Sequence, residues 1–397
     1  MTLNPLETLA QLVAVPSVNP MGRPASGPAF YETRLTEYLE RWLRTLGLQT
    51  QRQPIAAGRD NLIARLDGEI PPERGGPLIL FDAHQDTVPV DHMTIDPWKP
   101  VVREGRLYGR GACDTKGGMA AMLAVIARLA AERPRGMPTV VMTCTVDEEY
   151  AFSGAAALAS SWNSESDGLI PRPPDAAVVA EPTGLDVIVA HKGVVRWRCH
   201  TSGRAAHSAQ PGAGQSAIYC MGRVLAGLER YQRDVVAGLA SHPLCGPCTM
   251  NVGTIQGGSS INIVPERCRI EIEVRFPPGT DADSVRGRLI DDLAATVGEE
   301  PVPTHAPPYM QGPALSDADN AAPAERLWSA VAGVAGNRQR RGVPYATDAA
   351  FLSSAGTPAV VFGPGSVEQA HTDDEWVSLE EVEQAAEILY RFVRSWE

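Results

Sequence analysis

The sequence predicts an α/β fold: a mostly parallel mixed sheet with helices on both faces, interrupted by an inserted α+β domain of antiparallel sheet plus two helices. Three observations carry that expectation. Short, nearly continuous apolar runs at residues 78–81, 140–146 and 176–180 have the character of buried parallel strands. Helical patterns alternate with these runs, as in strand–helix–strand units. Residues 269–276 then alternate strictly, with Ile270, Ile272, Val274 and Phe276 set against Arg269, Glu271, Glu273 and Arg275. Period two with one polar face belongs to an antiparallel sheet covered on one side.

The elements follow in order. Asn4-Pro5-Leu6-Glu7 reads as a helix start, with an Asn cap, Pro in the first turn and Glu at the third position. Leu6, Leu9 and Val13 fall on its apolar face. Leu35, Leu39, Trp42, Leu43 and Leu46 mark a second helix, and Gly47 is its stop signal. A loop with Gly109, Gly111, Gly117 and Gly118 leads into a helix that turns Met119, Met122, Leu123, Ile126 and Leu129 inward. The character changes near Gly193. One amphipathic helix is expected at 214–231, another after Thr280 with Val285, Leu289, Leu293 and Val297 apolar. A Pro-rich stretch, 301–313, marks the return. Pro358-Ala-Val-Val-Phe362 is another short buried strand, followed by Gly363-Pro364-Gly365 and His371. Ser378-Leu-Glu-Glu381 caps a last helix with Val382, Ala386, Leu389 and Phe392 inward. At 397 residues the chain exceeds what one core usually serves. The expected division is a first domain of residues 1–192 and 306–397, and an inserted domain of 193–305.

Composition narrows the function classes. The formal net charge of -12 argues against binding nucleic acid or an anionic membrane nonspecifically. No apolar stretch approaches a membrane span, and the first residues lack a basic then apolar leader. A cytoplasmic protein is expected. The 7 cysteines are scattered, which fits reduced thiols. Cys245-Gly-Pro-Cys248, with His242 nearby, falls short of a structural zinc set and reads as a loop.

The chemistry lies beyond the strand ends, where open α/β sheets bind ligands. His84, Asp86, Asp114, Glu148, Glu149, Glu181 and His371 all fall in such positions. Two bare carboxylates about 4 Å apart repel by roughly 4 kcal/mol at an effective dielectric of 20. Several such pairs would consume much of a stability of about 5–15 kcal/mol. Protonation relieves one or two of them; divalent cations relieve all. Mixed imidazole and carboxylate ligation suits zinc, with cobalt or manganese as alternatives. A carboxylate shared by two ions makes a site that can activate water and polarise a carbonyl. His84 and Asp86, at i and i+2, point the same way, so Asp86 could orient the imidazole. Taken singly, Asp114 reads equally as a helix cap and Glu148-Glu149 as a solvated loop pair. The sequence holds no Gly-x-Ser-x-Gly elbow, phosphate-binding loop or His-Glu-x-x-His helix.

Five ordered segments resemble a known family: DAHQDTVP (82–89), GRGACDTKGGMAAML (109–123), TVDEEYAFSGA (145–155), AEPTG (180–184) and HKGVVRWRCHTSGRAAHSAQPGAGQSAI (191–218). They are similar to the co-catalytic metallopeptidases often called M20. FGPGSVEQAHTDDEW (362–376) resembles the acetylornithine deacetylase branch. The resemblance implies two divalent metal ions. His84 and Glu181 would bind one and Glu149 and His371 the other, with Asp114 bridging. Asp86 would hold the His84 ring, and Glu148 would be the general base. The insert would be a lid through which a homodimer forms. His207 would reach the partner's site to stabilise the oxyanion, and Asn262 would bind substrate in the same crossing fashion. Arg275 and the Gly363/Gly365 loop are candidates for a substrate carboxylate, with Lys192 and Thr347 as further ones. Arg275 reads equally as a solvated sheet residue. The family often has Asp where Glu273 stands here, and Cys113 is a thiol where a small residue is expected. The implied reaction is hydrolysis of an N-acyl amino acid, N-acetylornithine in the leading case. Desuccinylation, aminoacylase or dipeptidase activity are alternatives, as is a non-catalytic binding protein on the same fold.

Overall fold

The computed structural model describes residues 4–162, 168–296 and 302–397; Val297 and Pro301 lie outside the described residues. The chain divides into two compact units. The first comprises Met1–Val189, Ser316–Gly342 and Thr347–Glu397, the second Ala190–Leu315 and Val343–Ala346. In the second unit, His191 pairs with Leu315, and the Lys192 N–H donates to the Val343 carbonyl at 3.4 Å.

The first unit is built on an eight-stranded sheet, in the order Gln49–Ala56, Arg59–Leu66, Thr139–Thr145, Leu78–His84, Ala176–Val179, Ala359–Val361, Val187–His191 and Arg340–Val343. The central four of these run parallel to one another. Arg59–Leu66 joins antiparallel on one side and Val187–His191 on the other, so the sheet is mixed. The central strands are buried along their whole length, which is why they read as unbroken apolar runs. Leu78–His84 continues past the apolar run because Asp82 is buried within it. There Asp82 accepts a 2.6 Å hydrogen bond from the Thr143 hydroxyl. The hairpin Gln49–Ala56/Arg59–Leu66 carried no clear sequence signal, since its outer strand is half exposed and rich in Gln and Arg.

Helix Pro5–Val13 starts where its cap places it, with Asn4 Oδ1 accepting the Leu6 N–H at 2.9 Å. Leu9 and Val13 enter the core with Leu35, Leu39, Leu43, Met119, Met122, Ile126, Leu389 and Phe392. Ser378 caps the last helix, Leu379–Arg394, through the Glu381 N–H. The helix Gly117–Glu132 runs directly on from the loop that carries Asp114.

The second unit contains an antiparallel sheet in the order Thr249–Gly257, Arg267–Phe276, Gly193–Ser202 and Thr304–His305. Ile270, Ile272, Val274 and Phe276 are buried against helices Ala217–Asp234 and Ala282–Thr296. Cys245 and Cys248 belong to a small hairpin, Ser241–His242 with Gly246–Pro247, and both thiols are buried. Among the described residues no helix is long and apolar enough to cross a membrane.

Candidate metal centre

Three of the four central strands deliver an acidic or imidazole group where parallel-sheet topology predicts it, at the carboxyl end. His84 is the last residue of Leu78–His84. Glu148 and Glu149 follow Thr139–Thr145 by three and four positions, and Glu181 follows Ala176–Val179 by two. Asp114 comes from the glycine-bearing loop and His371 from the returning segment. They converge into two overlapping groups, His84/Asp114/Glu181 and Asp114/Glu149/His371. Within each group the candidate ligand atoms lie within 4.8 Å of one another. Asp114 belongs to both. Its Oδ1 lies 3.1 Å from His84 Nε2 and its Oδ2 3.2 Å from His371 Nε2. Glu149 Oε2 sits 3.1 Å from the same His371 nitrogen, and Glu181 Oε1 4.0 Å from His84 Nε2.

The protonation energetics show what this cluster is suited to hold. Burial disfavours a charged His84, yet its contact with Asp114 and the surrounding carboxylates hold the ring well above its ordinary value. Burial acts the same way on His371, and hydrogen bonds to Asp114 and Glu149 override it, raising the ring to about 11. Burial pushes Glu148 well above the usual carboxylate range, and the Glu181 charge adds to it. Burial and the Asp114 charge do the same to Glu181, and raise Glu149. Burial opposes ionisation of Asp114 too, but its hydrogen bonds from the two histidines win and lower it. Glu149 Oε1 is buried with no hydrogen-bond partner. A charge-rich pocket with an unpartnered oxygen, imidazole nitrogens facing carboxylates and one carboxylate aimed both ways fits two divalent cations.

The Asp86 carboxylate was expected to hold the His84 ring. Instead the main-chain carbonyl of Asp86 takes that part: it lies 3.0 Å from His84 Nδ1, and the carboxylate Oδ1 is 3.7 Å away. The carboxylate instead accepts the N–H groups of Glu148 and Glu149, each at 3.2 Å, and the Asn19 amide at 2.8 Å. Asp86 therefore sets the backbone that carries both glutamates. The Asn19 amide also donates to Asp147, which accepts from Ser153 at 2.7 Å and pairs with Arg59. Asp147 holds φ at 66° and His371 at 63°, left-handed values that cost energy in non-glycine residues and cluster at functional sites.

Among the proposed carboxylate binders, the glycine loop has a different part. The Gly363 N–H is taken by the Thr183 hydroxyl at 3.1 Å and the Gly365 N–H by Glu381 at 2.7 Å, which leaves neither amide for a substrate. A Cβ at Gly363 would sit 2.6 Å from the Glu181 carbonyl oxygen. One at Gly365, where φ is 85°, would sit 2.5 Å from Cys113 Sγ. These glycines let the loop press on two ligand-bearing segments. Thr347 is buried, and its hydroxyl accepts the Ala349 N–H at 3.2 Å.

Lys192, His207, Asn262 and Arg275 belong to the second unit. His207 pairs with Ile263 in a bridge, and the Ser208 N–H donates to the Asn262 carbonyl at 3.0 Å, so the two candidates are neighbours with exposed side chains. Arg275 is half-buried and donates to Glu273 at 2.9 Å; Glu273 also takes Arg196 at 2.6 Å. Lys192 is buried, and burial lowers its amine.

Sequence reasoning missed Asn19, Arg59, Asp348 and Glu375. Asp348 is buried, accepts the Thr145 hydroxyl at 2.8 Å, and its charge adds to the raised state of Glu148 and Glu181. None of these residues lies beside a recognisable ligand, so no spacing could mark them.

A two-histidine, three-carboxylate cluster with a shared aspartate, buried except at His371 and seated at the carboxyl end of a mixed α/β sheet, has the ligand chemistry of a dinuclear metallohydrolase. The chain belongs to Peptidase family M20/M25/M40, whose model matches residues 80–395. It is 29% identical to the acetylornithine deacetylase of Proteus mirabilis over 399 residues, covering 98% of this chain and 96% of that protein. It is 32% identical to the acetylornithine deacetylase of Myxococcus xanthus, covering 90% and 91%. An M20 family metallo-carboxypeptidase from Sulfolobus solfataricus shares the fold, with a TM-score of 0.79 at 16% identity over 99% of both chains.

Proposed function

We propose that this metallohydrolase cleaves the amide bond of an N-acyl amino acid, with an N-acetylornithine-type compound as the leading substrate. The observation that carries the reading is the place of Glu148: a buried carboxylate next to the ligand residue Glu149, yet outside both ligand groups. A carboxylate so placed is left to exchange protons rather than to hold a cation.

His84, Asp114 and Glu181 would hold one ion and Asp114, Glu149 and His371 the other, with zinc the leading metal and cobalt or manganese as alternatives. When bound, two such ions would polarise a carbonyl and lower the pKa of a bound water towards about 7. Glu148 takes the proton of the attacking water as its oxygen bonds to the acyl carbon. The same carboxyl then delivers that proton to the leaving nitrogen as the carbon–nitrogen bond breaks. The products are a carboxylate and a free amino acid. Asp86 acts by fixing the main chain of Glu148 and Glu149.

The substrate preference follows from the acetylornithine deacetylase relatives at about 30% identity over nearly the whole chain. In the same reading the chain works as a homodimer through its inserted unit. His207 of a second copy donates to the developing oxyanion, Asn262 contacts substrate, and Arg275 takes the substrate carboxylate. The exposure of His207 and Asn262 beside the almost fully exposed Ile261 supports this. The test is a panel of N-acetyl amino acids (ornithine, citrulline, methionine and glutamate), N-succinyl-diaminopimelate and dipeptides, each assayed with zinc, cobalt and manganese. Highest kcat/KM on N-acetylornithine supports the reading. Higher kcat/KM on the succinyl compound or on dipeptides overturns the substrate choice.

A further inference from the structure

The loop 110–114, which carries the shared ligand Asp114, folds around one buried carboxylate. Glu375 is fully buried. Its Oε1 accepts the N–H groups of Cys113 and Asp114, both at 2.9 Å. Its Oε2 accepts the N–H of Gly111 at 2.9 Å and Arg110 Nη1 at 2.7 Å. Three main-chain donors and a guanidinium thus converge on a single side chain, an anion-binding nest filled from within the chain. The Gly109 N–H also donates to the Glu375 carbonyl at 3.0 Å. Trp376–Ser378 pairs with Arg106–Tyr108, so Glu375 sits on a fixed strand end. Glu375 lies four residues after His371. One short segment therefore supplies a ligand of one ion and the clamp on the ligand that both ions share.

We infer that Glu375 is a positioning residue that aims Asp114 at both metal ions; this rests on reading the cluster as a two-metal site. Charge-assisted hydrogen bonds are the strong ones, and here four of them define the main chain on the N-terminal side of Asp114. Replacing Glu375 with Gln puts an NH2 group where an acceptor stood, so at least one N–H or the guanidinium faces a donor. Asp114 then loses its fixed aim. Because it serves both groups, both ions weaken together, which loss of Glu149 or Glu181 alone would not produce.

The experiment titrates zinc into metal-free wild type, Glu375→Gln and Glu375→Asp against a competing chelator, with thermal melts of the metal-free proteins alongside. Partners behind a metal ligand are typically worth about 10–100-fold in metal affinity. The expected result is a loss of that size for both ions in folded Glu375→Gln, with a smaller loss in Glu375→Asp, which keeps the charge. Wild-type zinc affinity in a folded Glu375→Gln protein overturns the inference, even if its melting temperature falls. Failure of both variants to fold with zinc present also overturns it, because Glu375 would then serve the fold rather than the ligand. A wild type that binds none of zinc, cobalt and manganese overturns the two-metal reading itself, a separate outcome.

Discussion

Glu148 and Glu149 are consecutive, and the Asp86 carboxylate holds both of their N–H groups, yet only Glu149 reaches His371. In the proposed mechanism the first moves protons and the second binds a cation. Glu148→Gln should therefore lower kcat by about 10²–10⁴-fold while leaving metal content unchanged, as checked by steady-state kinetics and elemental analysis. The shared strain of the site also has a pH signature. In the metal-free fold Glu148, Glu149, Glu181, His84 and His371 all hold protons more tightly than their ordinary values. Through these five groups the folded state binds more protons than the unfolded chain, so their contribution to stability falls as pH rises, while His191, His305 and Lys116, which burial lowers, contribute in the opposite sense. The glutamates lose theirs above 4.5, His84 and His371 above 6.5, and for His371 the loss completes near 11. Asp114, which is lowered, acts in the opposite sense only in strong acid. A cation must displace the protons these groups hold, so the rise in melting temperature on adding saturating zinc should be larger at pH 8 than at pH 5.5. Calorimetric melts with and without metal measure it.

At the scale of elements, the site depends on loops pressed together by buried polar contacts. The Asn19 amide joins Asp86 to Asp147 at 2.8 and 3.0 Å. Asn19→Ala leaves two buried carboxylates short of a donor, which should cost about 1–3 kcal/mol per unsatisfied group, read from denaturant unfolding. Gly365→Ala places a Cβ 2.5 Å from Cys113 Sγ at a left-handed backbone position. It should destabilise the fold by more than about 1 kcal/mol and weaken zinc binding by displacing the Asp114 loop. How much of this was legible follows from the kind of signal involved. The central strands announced themselves because burial on both faces demands unbroken apolar side chains, and their acidic ends followed from topology. The Arg59–Leu66 hairpin did not, because an antiparallel strand feeding the sheet from its polar edge carries no such run. Asn19 and Glu375 were hidden for a different reason. Asn19 works by donating to two carboxylates and Glu375 by accepting main-chain N–H groups, and neither kind of partnership leaves a pattern in a sequence. The donors that the Asp86 carboxylate meets were not legible, because strand periodicity places side chains on a face without saying which donor each will find.

At the scale of the whole molecule, the metal cluster is complete within one unit, whereas His207 and Asn262 belong to the other. If His207 acts across a dimer, mixing inactive His207→Ala with inactive Glu148→Gln should restore a measurable fraction of activity through hybrid dimers. No recovery despite demonstrated subunit exchange would count against crossing. The central claim is that two ions and Glu148 divide the work, the ions held by five ligands and the proton carried by a residue that is not one. The most direct measurement is bound zinc per chain and N-acetylornithine turnover, determined on the same samples of wild type and Glu148→Gln. Two ions in both proteins, with turnover in the wild type alone, is the result predicted here. Wild-type turnover in Glu148→Gln, or full turnover by protein stripped of metal, would contradict it.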